Sequence, residues 1–176
     1  GSFFSFIGGA PFVSTNSFEL SSSAFGIYFG VTTLGYVVGS FISGKFSERF
    51  GIHFMLLQGS WITALGLLLS LFIFWLGFGS ATVFFGCMIL AGVGNGMVLP
   101  NANAGLLSVR PSLAGSASGI GGAFMLGGGA FLAYLAGLIS TEQAGPYPLM
   151  YLMIFTAFAA LFIVRYIIFL ERDIVV

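Results

Sequence analysis

Residues 54–76 read FMLLQGSWITALGLLLSLFIFWL, a run of 23 mostly apolar residues without a single charge. A helix rises 1.5 Å per residue, so this run is about 34 Å long and can cross a hydrocarbon core of roughly 30 Å. It lacks the alternation of polar and apolar residues that marks a membrane barrel strand. The run therefore predicts a transmembrane helix.

The composition of the whole chain points the same way. Apolar residues make up 58% of the 176 residues and charged residues only 6%, whereas a soluble domain carries about 25% charged residues. The net charge is zero, so there is no basic surface for nucleic acid. The sequence predicts an integral membrane protein whose first partner is the lipid bilayer.

Five runs are long enough to cross, and a sixth is shorter. Residues 1–13 reach only about 20 Å as a helix, and we expect them to be the outer end of a helix that starts before residue 1. The predicted fold is an all-α membrane domain over residues 1–176, a six-helix bundle with five full spans and one truncated span. The full spans are 24–44, 54–76, 81–107, 115–139 and 148–170.

The charges of the connecting segments predict the orientation. Basic residues follow the second, fourth and sixth segments, whereas the alternate connections carry only acidic ones. By the positive-inside rule the basic side is the cytoplasm, which places loops 45–53 and 108–114 and the C-terminus inside. The inner residues are Lys45, Arg49, His53, Arg110 and Arg172, and the outer ones are Glu19 and Glu142.

Glycine is unevenly distributed among the segments, and small residues mark where membrane helices approach closely. The second, fourth and fifth segments are glycine-rich, whereas the third has two glycines and the sixth none. We therefore expect the third and sixth segments to lie outside against lipid and the others to pack internally. The candidate packing glycines are Gly35, Gly39, Gly92, Gly96, Gly115 and Gly119.

Polar residues form stripes on two of these segments. Tyr28 and Thr32 share a stripe with Ser43, and Asn95 and Asn103 share another at three-to-four spacing. An amide in hydrocarbon is costly unless it is paired, so both asparagines should face protein or water. Two compatible interpretations stay open, hydrogen bonding between helices and the lining of a cavity.

Other features carry less chemistry. Pro11 and Pro100 interrupt apolar segments and predict a kink, of which a moving hinge is one interpretation. Cys87 fits a small packing residue, and His53 fits a loop residue at the membrane surface. The sequence shows neither a nucleophile–base set nor a metal cluster, so we expect no enzyme, no cofactor and no metal.

The segment Gly44-Lys45-Phe46-Ser47-Glu48-Arg49-Phe50-Gly51 resembles the signature loop of the major facilitator superfamily: a Gly, three residues, an acid, an Arg, one residue and a Gly. Glu48 stands where Asp is usual, and Ile52-His53 stands where two basic residues are usual. This weaker form is similar to the second copy of the loop, between the eighth and ninth helices.

Three further stretches sharpen the resemblance. Residues 4–13 (FSFIGGAPFV) resemble the outer end of helix seven in bicyclomycin-resistance type (Bcr/CflA) drug/proton antiporters. Residues 99–104 (LPNANA) and 114–119 (AGSASG) resemble helix ten and the start of helix eleven. The resemblance covers residues 1–173 and implies the C-terminal half of a twelve-helix transporter, from part of helix seven to helix twelve, in a bacterial inner membrane.

The resemblance implies export of amphipathic small molecules in exchange for protons, by rocking of two halves about a central cavity. The spans of this chain carry no acid, so the coupling carboxylates would belong to an N-terminal half. A transport-competent assembly would need that half as partner; the alternative is a truncated half that serves as an accessory subunit of another membrane complex. The cavity candidates are Phe3, Phe6, Tyr28, Thr32, Asn95, Asn103 and Phe124, and the cytoplasmic gate candidates are Gly44, Lys45, Glu48, Arg49 and Gly51.

Overall fold

A computed structural model describes residues 1–108 and 113–174, and the regular structure of these residues is helical throughout. Arg110, and with it most of the predicted loop 108–114, lies outside the described residues. The six helices are α1 (Ser2–Asn16), α2 (Ser22–Phe50), α3 (Ile52–Trp75), α4 (Ala81–Ser108), α5 (Ala114–Ile139) and α6 (Tyr147–Ile174).

Five of these helices, α2 to α6, are long and apolar enough to cross a membrane. With 15 residues, α1 is shorter. The predicted all-α membrane fold of six helices is therefore confirmed.

The connection between α2 and α3 differs from the predicted loop over residues 45–53. The helix α2 continues to Phe50, and Gly51 alone, at φ +83°, turns the chain into α3. Positive φ is open to glycine at little cost, which is why the turn can be this short. The candidate gate residues from Gly44 to Arg49 thus stand on the last two turns of a helix.

The helix α4 lies at the centre of the bundle and packs on α2 along one face. The two helices run parallel, and a Cβ at Gly35 or Gly39 would collide with the backbone carbonyls of Ile89 or Val93. On the α4 side, a Cβ at Gly96 would collide with the carbonyl of Tyr36. Only glycine permits backbones to approach this closely.

The opposite face of α4 packs on α3, against our expectation that the third segment lies outside. A Cβ at Gly59 would come within 2.7 Å of the carbonyl of Gly94, and one at Gly66 within 2.8 Å of Leu90 Cβ. The helices α3 and α4 are the most buried of the five spans. The prediction was wrong because the position of two glycines, Gly59 opposite Gly94 and Gly66 opposite Leu90, decides the contact rather than the number of glycines.

The short helix α1 packs between α5 and α6. A Cβ at Gly8 would collide with the backbone of Ala133 on α5, and one at Gly9 would come within 2.6 Å of Leu149 on α6. Phe4 lies against Gly129 of α5. These contacts attach the N-terminal helix to the C-terminal part of the chain.

In contrast, α5 is the least buried span, although it carries eight glycines. A Cβ at Gly115 or Gly119 would meet no described atom within 4 Å. The expectation that this segment packs internally is wrong within this chain, because a Cβ at six of its eight glycines would meet no described atom within 4 Å. Among the described residues these two candidate packing glycines lie in no close helix contact, whereas Gly35, Gly39, Gly92 and Gly96 all lie in the α2–α4 contact.

Pro100 weakens α4 close to its contact with α2. Proline has no N–H, so the Gly96 carbonyl lacks its usual donor one turn later. The hydroxyl of Ser40, on α2, donates to this carbonyl at 3.4 Å. A polar group freed by the proline is therefore satisfied by the neighbouring helix.

Candidate functional site

A cavity of about 410 Å³ opens among α1, α2 and α4, with Met125 of α5 and Met153 of α6 at its edge. Its volume falls within the range of small-molecule sites, about 300–1,000 Å³. The helices that form most of the wall are the ones that pack through glycines or, in the case of α1, bridge two other helices. The wall is therefore formed mainly by helices that are held in place by close packing.

Four of the seven cavity candidates line this cavity. Phe3 and Phe6 come from α1, Thr32 from α2 and Asn95 from α4. Their side chains are widely separated in sequence, and the packing of α1 beside the α2–α4 pair brings them together.

The other three candidates lie elsewhere. The Tyr28 hydroxyl is 3.0 Å from Thr82 Oγ1, and its ring stacks on Phe85 at 5.1 Å, so it serves the α2–α4 contact. Asn103 is exposed, and Phe124 is 80% exposed on the open face of α5. The structure therefore places these three side chains outside the cavity.

Sequence reasoning missed several side chains of the wall. On α2, Phe29, Thr33 and Tyr36 line the cavity together with Thr32. Their spacing of three and four residues is a helical stripe. This stripe lies beside the one that contains Tyr28 and Thr32, and the same spacing test would have found it. Phe4 and Met88 were missed as well, and nothing in their local sequence distinguishes them from other apolar residues.

Aromatic rings make one side of the cavity rigid. Phe6 is only 3% exposed. It stacks on Phe29 with centroids 5.7 Å apart and meets Phe85 edge-on at 6.0 Å. Such pairs contribute about 0.5–1.5 kcal/mol beyond their buried area. The rings are thus fixed by their neighbours, and their remaining faces offer an apolar surface to a ligand.

The polar groups of the wall are few and uncharged. Thr32 and Thr33 donate to backbone carbonyls of their own helix, both at 3.0 Å. The Asn95 amide donates to the Ala91 carbonyl at 2.9 Å. Within the described part of the chain, Asn95 Oδ1 and the Tyr36 hydroxyl make no hydrogen bond and so can bind a ligand.

No charged side chain lines the cavity among the described residues. A charged ligand would therefore find aromatic faces, which attract cations, rather than a counter-ion. The arrangement suits a molecule with an apolar body and one or two polar groups. Among the described side chains of the wall, none is a carboxylate, a histidine, a lysine or an arginine.

The gate candidates lie at the C-terminal end of α2, whereas its ring contacts with Phe6 and Phe85 lie nearer the N-terminal end. Lys45 Nζ lies 5.7 Å from the centroid of the Phe46 ring, and Arg49 Cζ lies 5.3 Å from that of Phe50. Arg49 occupies the last turn of α2, where the helix dipole favours a positive charge. Glu48 is exposed, so its carboxylate is available to a partner.

Comparison with known proteins adds one match. A sequence-family profile described as Major Facilitator Superfamily matches residues 1–173. Searches of curated proteins and of solved structures return no match. The profile covers all six helices up to the last residues of α6.

Proposed function

Because the chain belongs to the Major Facilitator Superfamily, a family of transporters rather than enzymes, we propose that it is the C-terminal half of a small-molecule efflux transporter. In this proposal the half rocks against an N-terminal half and exports amphipathic, drug-like compounds in exchange for protons. The proposal places the protein in a bacterial inner membrane with its C-terminus in the cytoplasm. The family match does not favour an accessory subunit.

The observation that carries the proposal is the cavity of about 410 Å³, walled by aromatic rings and, among the described residues, by no charged side chain. Binding there depends on apolar contact and cation–π attraction, both of which tolerate variation in ligand shape. Asn95 Oδ1 and the Tyr36 hydroxyl supply the polar contacts that fix orientation. A broad range of amphipathic compounds is therefore a better fit than a sugar or an anion.

The proton-coupling group of this mechanism would come from the other half. A coupling residue must be titratable and reachable from both sides of the membrane. In this chain the acids lie at helix ends or in connections, namely Glu19, Glu48, Glu142, Glu171 and Asp173. The proposal therefore requires both halves in one assembly.

The test compares two asparagines on α4 in the complete transporter. Ethidium, a planar amphipathic cation, serves as the probe, and its efflux is measured in everted membrane vesicles. We expect Asn95→Leu to raise the KM for ethidium about tenfold, because one ligand hydrogen bond in an apolar site is lost. Asn103→Leu, at an exposed amide eight residues along the same helix, is the control and should leave KM unchanged.

Two results would contradict the proposal. One is that the complete protein shows energy-dependent efflux neither of ethidium nor of any compound in a panel of neutral amphipathic molecules. The other is an equal effect of both asparagine variants, which would show that the cavity is not the binding site. Variant levels in the membrane are measured in parallel, so that loss of protein is not mistaken for loss of binding.

A further inference from the structure

Three polar side chains close a ring between α2 and α4, below the cavity. The Asn101 amide donates to Ser43 Oγ at 2.7 Å, and Ser47 Oγ donates to Asn101 Oδ1 at 2.9 Å. The two serine hydroxyls are 3.2 Å apart. One consistent direction of donation runs from Asn101 to Ser43, from Ser43 to Ser47, and back to Asn101.

This ring is fully paired, with two buried members and one half-buried member, Ser47. Asn101 and Ser43 are each 3% exposed. The Asn101 amide also donates to the carbonyl of Met97, one turn earlier on α4, at 2.7 Å. Hydrogen bonds in a low-dielectric interior are strong, and an unpaired amide there is costly. The ring therefore holds its members in one arrangement.

The position of the ring links two features that the sequence presents separately. Asn101 follows Pro100, which leaves α4 without one of its own hydrogen bonds. Ser47 directly precedes Glu48 and Arg49, the candidate gate residues, and Ser43 lies one turn before it. The ring thus joins the weakened part of α4 to the last two turns of α2.

We propose that Asn101 is a positioning residue that fixes the C-terminal end of α2 on α4, so that the segment from Lys45 to Arg49 moves with α4 as one body. Asn101 does not line the cavity, so its role is separate from ligand binding. The effect on gating rests on the proposed transport function, but the attachment of the two helices does not.

The first experiment measures the attachment alone, by limited trypsin digestion of the full chain in detergent micelles. Trypsin cleaves after Lys45 and Arg49 only when this end of α2 opens. We expect Asn101→Ala to accelerate these two cleavages about tenfold, equivalent to about 1.4 kcal/mol. The matched control is Asn103→Ala, which removes an exposed amide two residues further along and should leave both rates unchanged.

One further variant keeps this test decisive if Asn101→Ala does not fold, and a second checks that Ser43 and Asn101 act together. Ser47→Ala breaks the ring but leaves the bonds from Asn101 to Ser43 and Met97. It should accelerate the same cleavages to a smaller extent. The double variant Ser43→Ala/Asn101→Ala should be cleaved after Lys45 and Arg49 no faster than Asn101→Ala, because the single variant already removes the ring.

The proposal is overturned if Asn101→Ala and Asn103→Ala are cleaved at equal rates. It is also overturned if cleavage after Arg165, on α6, accelerates as much as cleavage after Lys45 and Arg49. That result would show a general loss of stability rather than release of one helix end.

The second experiment measures ethidium efflux by the complete transporter. We expect Asn101→Ala to lower the maximal rate about tenfold with KM within twofold of the wild-type value, whereas Asn95→Leu raises KM. A rise of KM in Asn101→Ala would contradict the positioning role. If even the wild-type protein moves no ethidium, the proposed function fails while the trypsin result still decides the positioning role.

Discussion

The α2–α4 contact and the helix α5 are both rich in glycine, yet their surroundings are opposite. Between α2 and α4, Gly39 and Gly96 lie against backbone carbonyls with no room for a methyl group. On α5, Gly119 and Gly122 have open space on the side where a Cβ would stand. Glycine therefore marks where a close approach is possible, but the partner helix decides whether it occurs.

The largest expected effect comes from filling the α2–α4 contact. Gly39→Ala pushes a methyl group into the Val93 carbonyl, and overpacking of this kind lowers the free energy of unfolding by about 1–3 kcal/mol. The comparison is Gly119→Ala, which should raise stability by up to about 1 kcal/mol through helix propensity alone. Thermal unfolding in detergent measures both, and equal midpoints would remove the distinction between the two regions.

A second prediction concerns what covers the open face of α5 in the proposed two-half transporter. Gly119→Trp should leave the helices of this chain folded, because no described atom lies near it. It should lower ethidium efflux about tenfold, since a bulky ring would weaken the packing of the other half on this face by about 1.4 kcal/mol. Phe162→Trp, at a side chain 72% exposed on α6, is the control, and equal efflux by both variants would exclude a partner on this face.

A smaller effect is expected where α2 ends. We propose that Glu48, one of the cytoplasmic gate candidates, interacts through its carboxylate with a helix N-terminus of the other half, an interaction of about 0.3–1 kcal/mol. Glu48→Gln should therefore increase the labelling of a cysteine at Ser108 about two- to fivefold, in a Cys87→Ala background. Glu142→Gln, in the connection between α5 and α6, is the control, and unchanged labelling in Glu48→Gln would refute the gate.

The smallest effect is expected at Ser40, whose bond to the Gly96 carbonyl is long at 3.4 Å. Ser40→Ala should lower the free energy of unfolding by about 0.5 kcal/mol, the low end for a hydrogen bond. Ser23→Ala, at an exposed position near the start of α2, should have no effect. A loss above about 2 kcal/mol would mean that the carbonyl freed by Pro100 has a larger structural role than one long bond indicates.

The candidate cavity was predicted in part. Polar spacing on α4 identified Asn95, which lines it, but the same stripe also included Asn103, which is exposed. Asn101, two residues earlier and about 200° away around the helix, is the buried amide. A stripe finds residues that share a face, but it does not say which face meets another helix.

The sequence alone determined that the chain forms long helices and that these helices lie in lipid. Long uncharged apolar runs can satisfy their backbone groups in lipid only as helices, so α2 to α6 follow from composition and length. The tertiary structure decided the rotation of each helix, and with it the α3–α4 contact, the cavity wall and the burial of Asn101. Helices that are apolar on every side carry little amphipathic signal to orient them, so close packing against particular neighbours selects the face that each one buries.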